Sequence, residues 1–198
     1  MKKLFLTAAV AVSSLTFAQQ FGAKAGMNVS TISDEGFDDT KSKVGYYAGV
    51  FMNVPVSESF SIQPEVLYNN LGSKVSSTVS GTTYSSTLNL DYVAVPVMFQ
   101  YKATPQFYLE AGPEFGFLVN AKQKFDNGSS SIVTELDKED FNSFNMGVGL
   151  GLGFDISKNV GLNARYVAGF SDITKESGPS TDAKNKNNAF QVGLNIKF

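Results

Sequence analysis

The chain has 198 residues with no Cys, no His and no Trp, and 16 basic residues stand against 18 acidic ones. Without Cys, a disulfide framework, a zinc–thiolate site or a thiol nucleophile is excluded, and without His the commonest general base and metal ligand is missing. The net charge of −2, with one Arg (Arg165) and no basic face, argues against a nucleic-acid partner.

Residues 1–18 read as a secretory signal peptide. Lys2 and Lys3 give a short positive start, Leu4 to Val12 an apolar stretch too short to span a bilayer, and Thr16-Phe17-Ala18 a small-residue ending before Gln19. No Cys follows that stretch, so a lipoprotein anchor is excluded. The remainder, 19–198, is sized for one domain and carries a net charge of −4 once Lys2 and Lys3 are removed. No later stretch approaches the roughly 18 consecutive apolar residues of a membrane helix.

From Gln20 to Phe198 the apolar period is two rather than 3.6, which predicts strands. Eight segments stand out, at 20–30, 43–54, 60–71, 87–101, 106–119, 142–155, 159–170 and 188–198. Most have the roughly 9–11 residues that a tilted strand needs to cross hydrocarbon, and closed bacterial barrels use an even number of strands. The predicted fold is therefore all-β, an eight-stranded antiparallel up-and-down transmembrane β-barrel.

The first segment offers Phe21, Ala23, Ala25, Met27 and Val29 to lipid, and the second Val44, Tyr46, Ala48, Val50, Met52 and Val54. The third offers Phe60, Ile62, Pro64, Val66 and Tyr68. The fourth offers Val93, Val95, Val97, Phe99 and Tyr101, with Leu88 and Leu90 on the other phase, for which a bulge or an early start is expected. Phe107, Leu109, Ala111, Pro113, Phe115, Phe117 and Val119 form the fifth lipid face. In the sixth, Phe144, Met146, Val148, Leu150, Leu152 and Phe154 alternate with Asn145, Gly147, Gly149, Gly151, Gly153 and Asp155. That strict alternation, with no helix following, rules out a phosphate-binding glycine loop. Val160, Leu162, Ala164, Tyr166, Ala168 and Phe170 form the seventh face, and Phe190, Val192, Leu194, Ile196 and Phe198 the eighth.

No residue in these outward sets is charged. Lys24, Glu65, Glu110, Glu114, Asp155, Arg165 and Lys197 all fall on the inward phase. A basic residue facing lipid at the midplane costs about 2–4 kcal/mol, so this separation points to a bilayer. The connections alternate too. Short ones near 55–59, 102–105 and 156–159 alternate with long polar ones near 31–42, 72–86, 120–141 and 171–187, as short periplasmic turns and long external loops do. Pro64, Pro96 and Pro113 lie inside strands, where a lost ladder donor predicts local bulges.

The last eight residues, Gln191-Val-Gly-Leu-Asn-Ile-Lys-Phe198, resemble the C-terminal β-signal by which outer-membrane barrels are recognised for assembly, with Gln191, Gly193, Ile196 and Phe198 in its defined places. The chain also resembles the small outer-membrane β-barrel family described as porin-like or PorT-like, of OmpA/OmpX architecture. Gly22-Ala-Lys-Ala-Gly-Met-Asn-Val-Ser30 is similar to its opening strand, Gln63-Pro64-Glu65 with Tyr68 to its third, and Tyr92-Val-Ala-Val-Pro96 running to Tyr101 to its fourth. Ala94 stands where that family commonly has an acidic residue. Gly112-Pro113, and Arg165-Tyr166 with Gly169, match later strands. The resemblance implies an outer-membrane location in a Gram-negative envelope. It also implies contact with membrane lipid and lipopolysaccharide, handling by the barrel assembly machinery, and no particular activity or cofactor.

An eight-stranded interior is just wide enough to be filled by side chains. Tyr47, Phe51, Leu67, Tyr108 and Leu118 point into it beside the glycines, so a wide pore is not expected. Lys24, Glu65, Glu110 and Arg165 fall at comparable depths. Pairing Glu65 with Arg165, and Lys24 with Glu110 or Glu114, predicts an ionic layer across the lumen. Glu110 and Glu114 sit about 13 Å apart along one strand, too far for a glycosidase pair, and no enzyme is expected. Acidic clusters at Asp34-Glu35, Asp38-Asp39 and Glu135 to Asp140 lack EF-hand spacing and read as solvated loops without a metal site. The expected role is structural, with surface loops available for binding or adhesion. A restricted small-solute channel is one alternative. A soluble periplasmic lipocalin-like carrier is another, though such carriers usually show a Gly-x-Trp absent here.

Overall fold

The computed structural model describes residues 19–33, 41–79, 82–128, 130–138, 141–173 and 185–198. The proposed signal peptide and the acidic segment 34–40 lie outside these residues. Nine strands are present among them: β1 (Gln20–Ser33), β2 (Lys41–Pro55), β3 (Phe60–Val79), β4 (Thr82–Lys102), β5 (Phe107–Asp126), β6 (Ser131–Glu135), β7 (Phe144–Asp155), β8 (Val160–Gly169) and β9 (Lys186–Lys197). Eight of them close an antiparallel ring, β1-β2-β3-β4-β5-β7-β8-β9, with β9 returning to β1, while β6 pairs with β5 alone.

Closure follows from the two-residue period. Within the ring, the phase of each strand that holds Phe21, Leu150 and Leu194 lies on the convex face, and the alternate set is packed inside. Leu150 is 65% exposed and Leu194 49%, whereas Arg165 is 1% and Glu65 2% exposed. Aromatic residues collect near both ends of the outer face, pairing as Phe60 with Tyr101 at 5.1 Å and as Tyr46 with Tyr68 at 6.1 Å. Such girdles mark the two membrane interfaces of a transmembrane barrel. The turns joining β2 to β3, β4 to β5 and β7 to β8 are short, and both ends of the barrel chain lie on their side. There the Phe198 amide donates to the Phe21 carbonyl at 2.9 Å.

Several expectations are corrected. The segments 72–86 and 120–141 are largely strand rather than loop. β3 and β4 have 20 and 21 residues, about twice what a tilted crossing requires, and remain paired from Leu67 opposite Ala94 to Val79 opposite Thr82. Their outer halves are rich in Ser and Thr because a ladder outside hydrocarbon needs no greasy face, and polarity alone makes them look like loop. β4 keeps one phase throughout: Leu90 is fully buried and Leu88 packs beside it, inside the ring. The bulge lies across from it, in β5. Asp91 is opposite Asn120 and Tyr92 opposite Leu118, which leaves Val119 as the extra residue. The three in-strand prolines cause no slip. Pro64 opposite Val97, Pro96 opposite Glu114 and Pro113 opposite Val148 keep the register of their neighbours, since an extended backbone accommodates proline wherever its missing donor is not required.

Asp91, on β4, lies on the outward phase after all, as do Lys74 and Lys124 farther out. Asp91 accepts hydrogen bonds from the side-chain amides of Asn70 (2.5 Å) and Asn120 (2.9 Å), so its charge is met by donors at the outer rim, away from the apolar band.

Candidate functional site

The lumen is filled in layers. Near the short-turn end, Asn53 donates to Ser61, Gln63 and Gln100 at 2.8–3.1 Å. Across the ring, the Tyr47 hydroxyl donates to Asn163 at 2.8 Å, Asn163 donates to Asn195 at 2.8 Å, and Asn195 donates to the Tyr108 hydroxyl at 3.0 Å. The Lys197 ammonium meets Asp155 at 2.6 Å at that mouth. Tyr47 and Tyr108 are where the sequence places them, inside the ring, but the amides of Asn53, Gln63, Gln100, Asn163 and Asn195 were not singled out by it. Their signal was present, because each occupies the inward phase of its strand.

Arg165, on β8, reaches across to β3 and β5. Its Nη1 and Nη2 donate to the two Glu65 oxygens at 2.9 and 2.8 Å, and its Nε donates to Glu110 Oε1 at 2.8 Å. This forked grip is what a planar guanidinium does well. Lys24 does not reach Glu110 or Glu114. Its Nζ instead donates to Glu65 Oε1 at 2.8 Å, two strands away on the same side of the ring. The Gln100 amide caps the remaining Glu110 oxygen, Oε2, at 2.9 Å, and the Gln63 amide adds a further donor to Glu65 Oε1 at 2.8 Å. Four ionised groups, each at most 2% exposed, thus share one connected cluster. Glu114 is buried beside this cluster without joining it, and its Oε2 has no partner.

The glycines of β7 make room for this filling. A Cβ on Gly149 would sit 3.3 Å from Arg165 Cδ, and one on Gly153 would lie 2.1 Å from the Tyr108 ring. Toward the long-hairpin end an apolar layer follows, in which Ile32, Leu71, Leu90, Tyr92 and Ala121 meet Phe141 and Ile173 from the connections. Beyond the ring, β5, β6 and the outer halves of β3 and β4 continue as a four-stranded sheet. Val75, Tyr84, Phe125 and Ile132 lie around an open cavity of about 310 Å³ on it.

The C-terminal positions divide by phase. Gln191 is buried and its amide donates to Asn69 at 3.4 Å. A Cβ on Gly193 would lie 2.3 Å from the Ala25 carbonyl oxygen, and Ile196 and Phe198 face outward.

A closed antiparallel ring that is apolar without and ionic within defines a small transmembrane barrel of the outer membrane. The chain belongs to the outer membrane protein beta-barrel domain family, whose pattern it matches over residues 17–175, and it resides in the outer membrane. Among solved structures it is similar to Ail, the attachment invasion locus protein of Yersinia pestis, at 14% identity and a TM-score of 0.52, with 90% of this chain and 98% of that one covered. It is also similar to Neisserial surface protein A at 14% identity and a TM-score of 0.51, covering 90% of this chain and 97% of that one. Among curated proteins no sequence match was found. These likenesses concern the fold. A soluble lipocalin-like carrier is excluded by the outer-membrane location and by the inverted distribution of polar and apolar side chains.

Proposed function

We propose that this protein is a closed barrel that presents its external sheet to a partner at the cell surface. The observation that carries the reading is the sheet built from β5, β6 and the outer halves of β3 and β4. Its Val75, Tyr84, Phe125 and Ile132 are each 46–67% exposed in one neighbourhood, where neither bilayer nor barrel interior requires apolar groups. Exposed apolar clusters rimmed by polar residues mark interaction surfaces. The attachment role named for Ail is consistent with this use of the fold. The lumen supports the reading from the other side: amide, ionic and apolar layers fill it in series, so the barrel acts as a rigid mount and not as a passage. In the same reading residues 1–18 direct export, and the strand ending in Phe198 presents the assembly signal.

The test compares cells displaying the wild-type barrel with cells displaying a Tyr84→Ser, Phe125→Ser, Ile132→Ser variant, and with cells lacking the protein, for retention on host cells or matrix-coated plates. Retention above the null strain that falls in the triple variant is expected, with equal folded barrel in both membranes. Retention equal to the null strain, or unaffected by the substitutions, overturns the reading. Planar-bilayer recording of wild type and Arg165→Ala checks the closed lumen. Steady conductance in the wild type counts for a restricted channel instead.

A further inference from the structure

With every carboxylate ionised, the buried cluster is not neutral. Within the ring, Lys24 and Arg165 face Glu65, Glu110 and Glu114, one carboxylate more than cations, and all five are at most 8% exposed. Lys43, the other buried lysine of the barrel, is turned away toward the outer rim, where it donates to Asn70 Oδ1 at 2.5 Å and to the Leu71 carbonyl at 3.0 Å. Asp155 and Lys197 compensate each other at the opposite mouth. The odd charge therefore falls on Glu114, which makes no salt bridge among the described residues. An isolated buried carboxylate is costly unless something pairs with it.

Beside Glu114 is a cavity of about 20 Å³, room for one water-sized particle. Its lining includes Glu114, Tyr92, Asn145 and Asn187. Three of these bring polar atoms that have no hydrogen-bond partner: Glu114 Oε2, the Tyr92 hydroxyl, and both side-chain polar atoms of Asn187. All three residues are more than nine-tenths buried. Unsatisfied buried groups are rare in folded proteins and call for an occupant. The Glu114 carboxylate, the Tyr92 hydroxyl and the Asn187 amide line one small void, their oxygens are hard ligands beside the Asn187 Nδ2, and one carboxylate matches one positive charge. Among the described residues no group of three His, Cys, Asp or Glu side chains that could hold a metal ion occurs, so an ion here relies on one carboxylate with hydroxyl and amide oxygens. We propose that this cavity is a structural site for a single monovalent cation of sodium size, which neutralises the barrel's ionic layer.

The cavity's position sets how the ion is exchanged. Leu71, Tyr92 and Ala189 line the cavity and also belong to the apolar layer on its outer side, so refolding in a chosen salt is the way to load or withhold the ion.

The test refolds the full 19–198 barrel from urea into detergent micelles in sodium chloride or in N-methyl-D-glucamine chloride, at equal ionic strength and pH. The organic cation is too large for a one-water cavity. The temperature at which the fast-migrating folded band is lost on electrophoresis is then read. The wild type is expected to melt at a higher temperature in sodium, and Glu114→Gln, which keeps shape and removes the charge, is expected to show one midpoint in both salts. Identical wild-type midpoints, the result that a water or a proton in the cavity would give, overturn the proposal. A salt difference that persists in Glu114→Gln overturns it as well, because the ion would then act elsewhere. If that variant does not refold, Asn187→Val replaces it with the same expectation.

Discussion

Replacing Arg165 by Met tests whether the ionic layer holds the barrel by charge balance or merely fills space. Met keeps most of the buried stem and deletes the guanidinium, whose three nitrogens hold Glu65 and Glu110 at 2.8–2.9 Å. The Lys24 ammonium remains on Glu65 at 2.8 Å, but Glu110 is left with amide donors only, and three buried carboxylates face one cation. Removing one partner of a buried pair costs about 3–5 kcal/mol, and the stranded Glu110 places this variant in that range. At roughly 1.4 kcal/mol per tenfold, the folded fraction relative to unfolded falls by about three orders of magnitude. Adding Glu110→Gln to Arg165→Met removes the stranded charge and leaves the Lys24–Glu65 pair intact. The double variant is therefore expected to recover about half the loss or more, since exchanging a buried ionic group for an uncharged one of similar shape is often near neutral. The chain has no Trp, so the assay is a urea titration read by the mobility difference between folded and unfolded barrel. An Arg165→Met variant as stable as the wild type, or a double variant weaker than the single one, refutes the charge argument.

The other expectations concern the membrane face, the packed interior and the last residue. Leu150→Arg, in mid-strand on the lipid face, is expected to cost about 2–4 kcal/mol in the same titration in lipid vesicles, whereas Ile132→Arg on the external sheet is expected to stay within about 0.5 kcal/mol. Gly153→Val drives a side chain into the Tyr108 ring, from which even its Cβ would be 2.1 Å away, and is expected to lose about 1–3 kcal/mol or fail to close. Recovery on adding Tyr108→Ser checks that the ring is the obstacle. Deletion of Phe198, which is 78% exposed and packs little, is expected to leave refolding in detergent unchanged but to lower the amount of barrel in cell membranes, measured by fractionation. An equal loss in both settings would make its role structural.

The barrel's wall was legible because the bilayer enforces one rule on every strand. Phe144, Met146, Val148, Leu150, Leu152 and Phe154 alternate with small or polar residues, and a slip of one residue would reverse every face. That rule stops where hydrocarbon stops. Lys74, Thr87 and Lys124 pair in register outside the band, yet nothing in their polarity separates a solvated strand from a loop. β6 was invisible for the same reason. Asp91 was missed because its strand alternates perfectly below it; only the neighbouring Asn70 and Asn120, which meet it across the sheet, show that the rim has been reached.

The ionic cluster was half legible, and the missing half is geometric. Phase alone places Lys24, Glu65, Glu110, Glu114 and Arg165 inside the ring, and opposition across eight strands brings Arg165 to Glu65. Depth along a strand, however, ignores the stagger that closure imposes, so residues at equal distances from their turns are not level. That stagger moves Lys24 onto Glu65 and leaves Glu114 above the layer, among Tyr92 and Asn187. The same offset separates the roles of two glutamates four residues apart on β5: Glu110 is clasped by Arg165 and Gln100, while Glu114 borders a void with an unmet oxygen. A barrel built only to fill its interior would place an apolar residue at that point, as it does one layer higher with Leu90 and Ala121. Retaining a carboxylate there is what the proposed cation requires, and the comparison of sodium with N-methyl-D-glucamine separates that ion from a water or a proton.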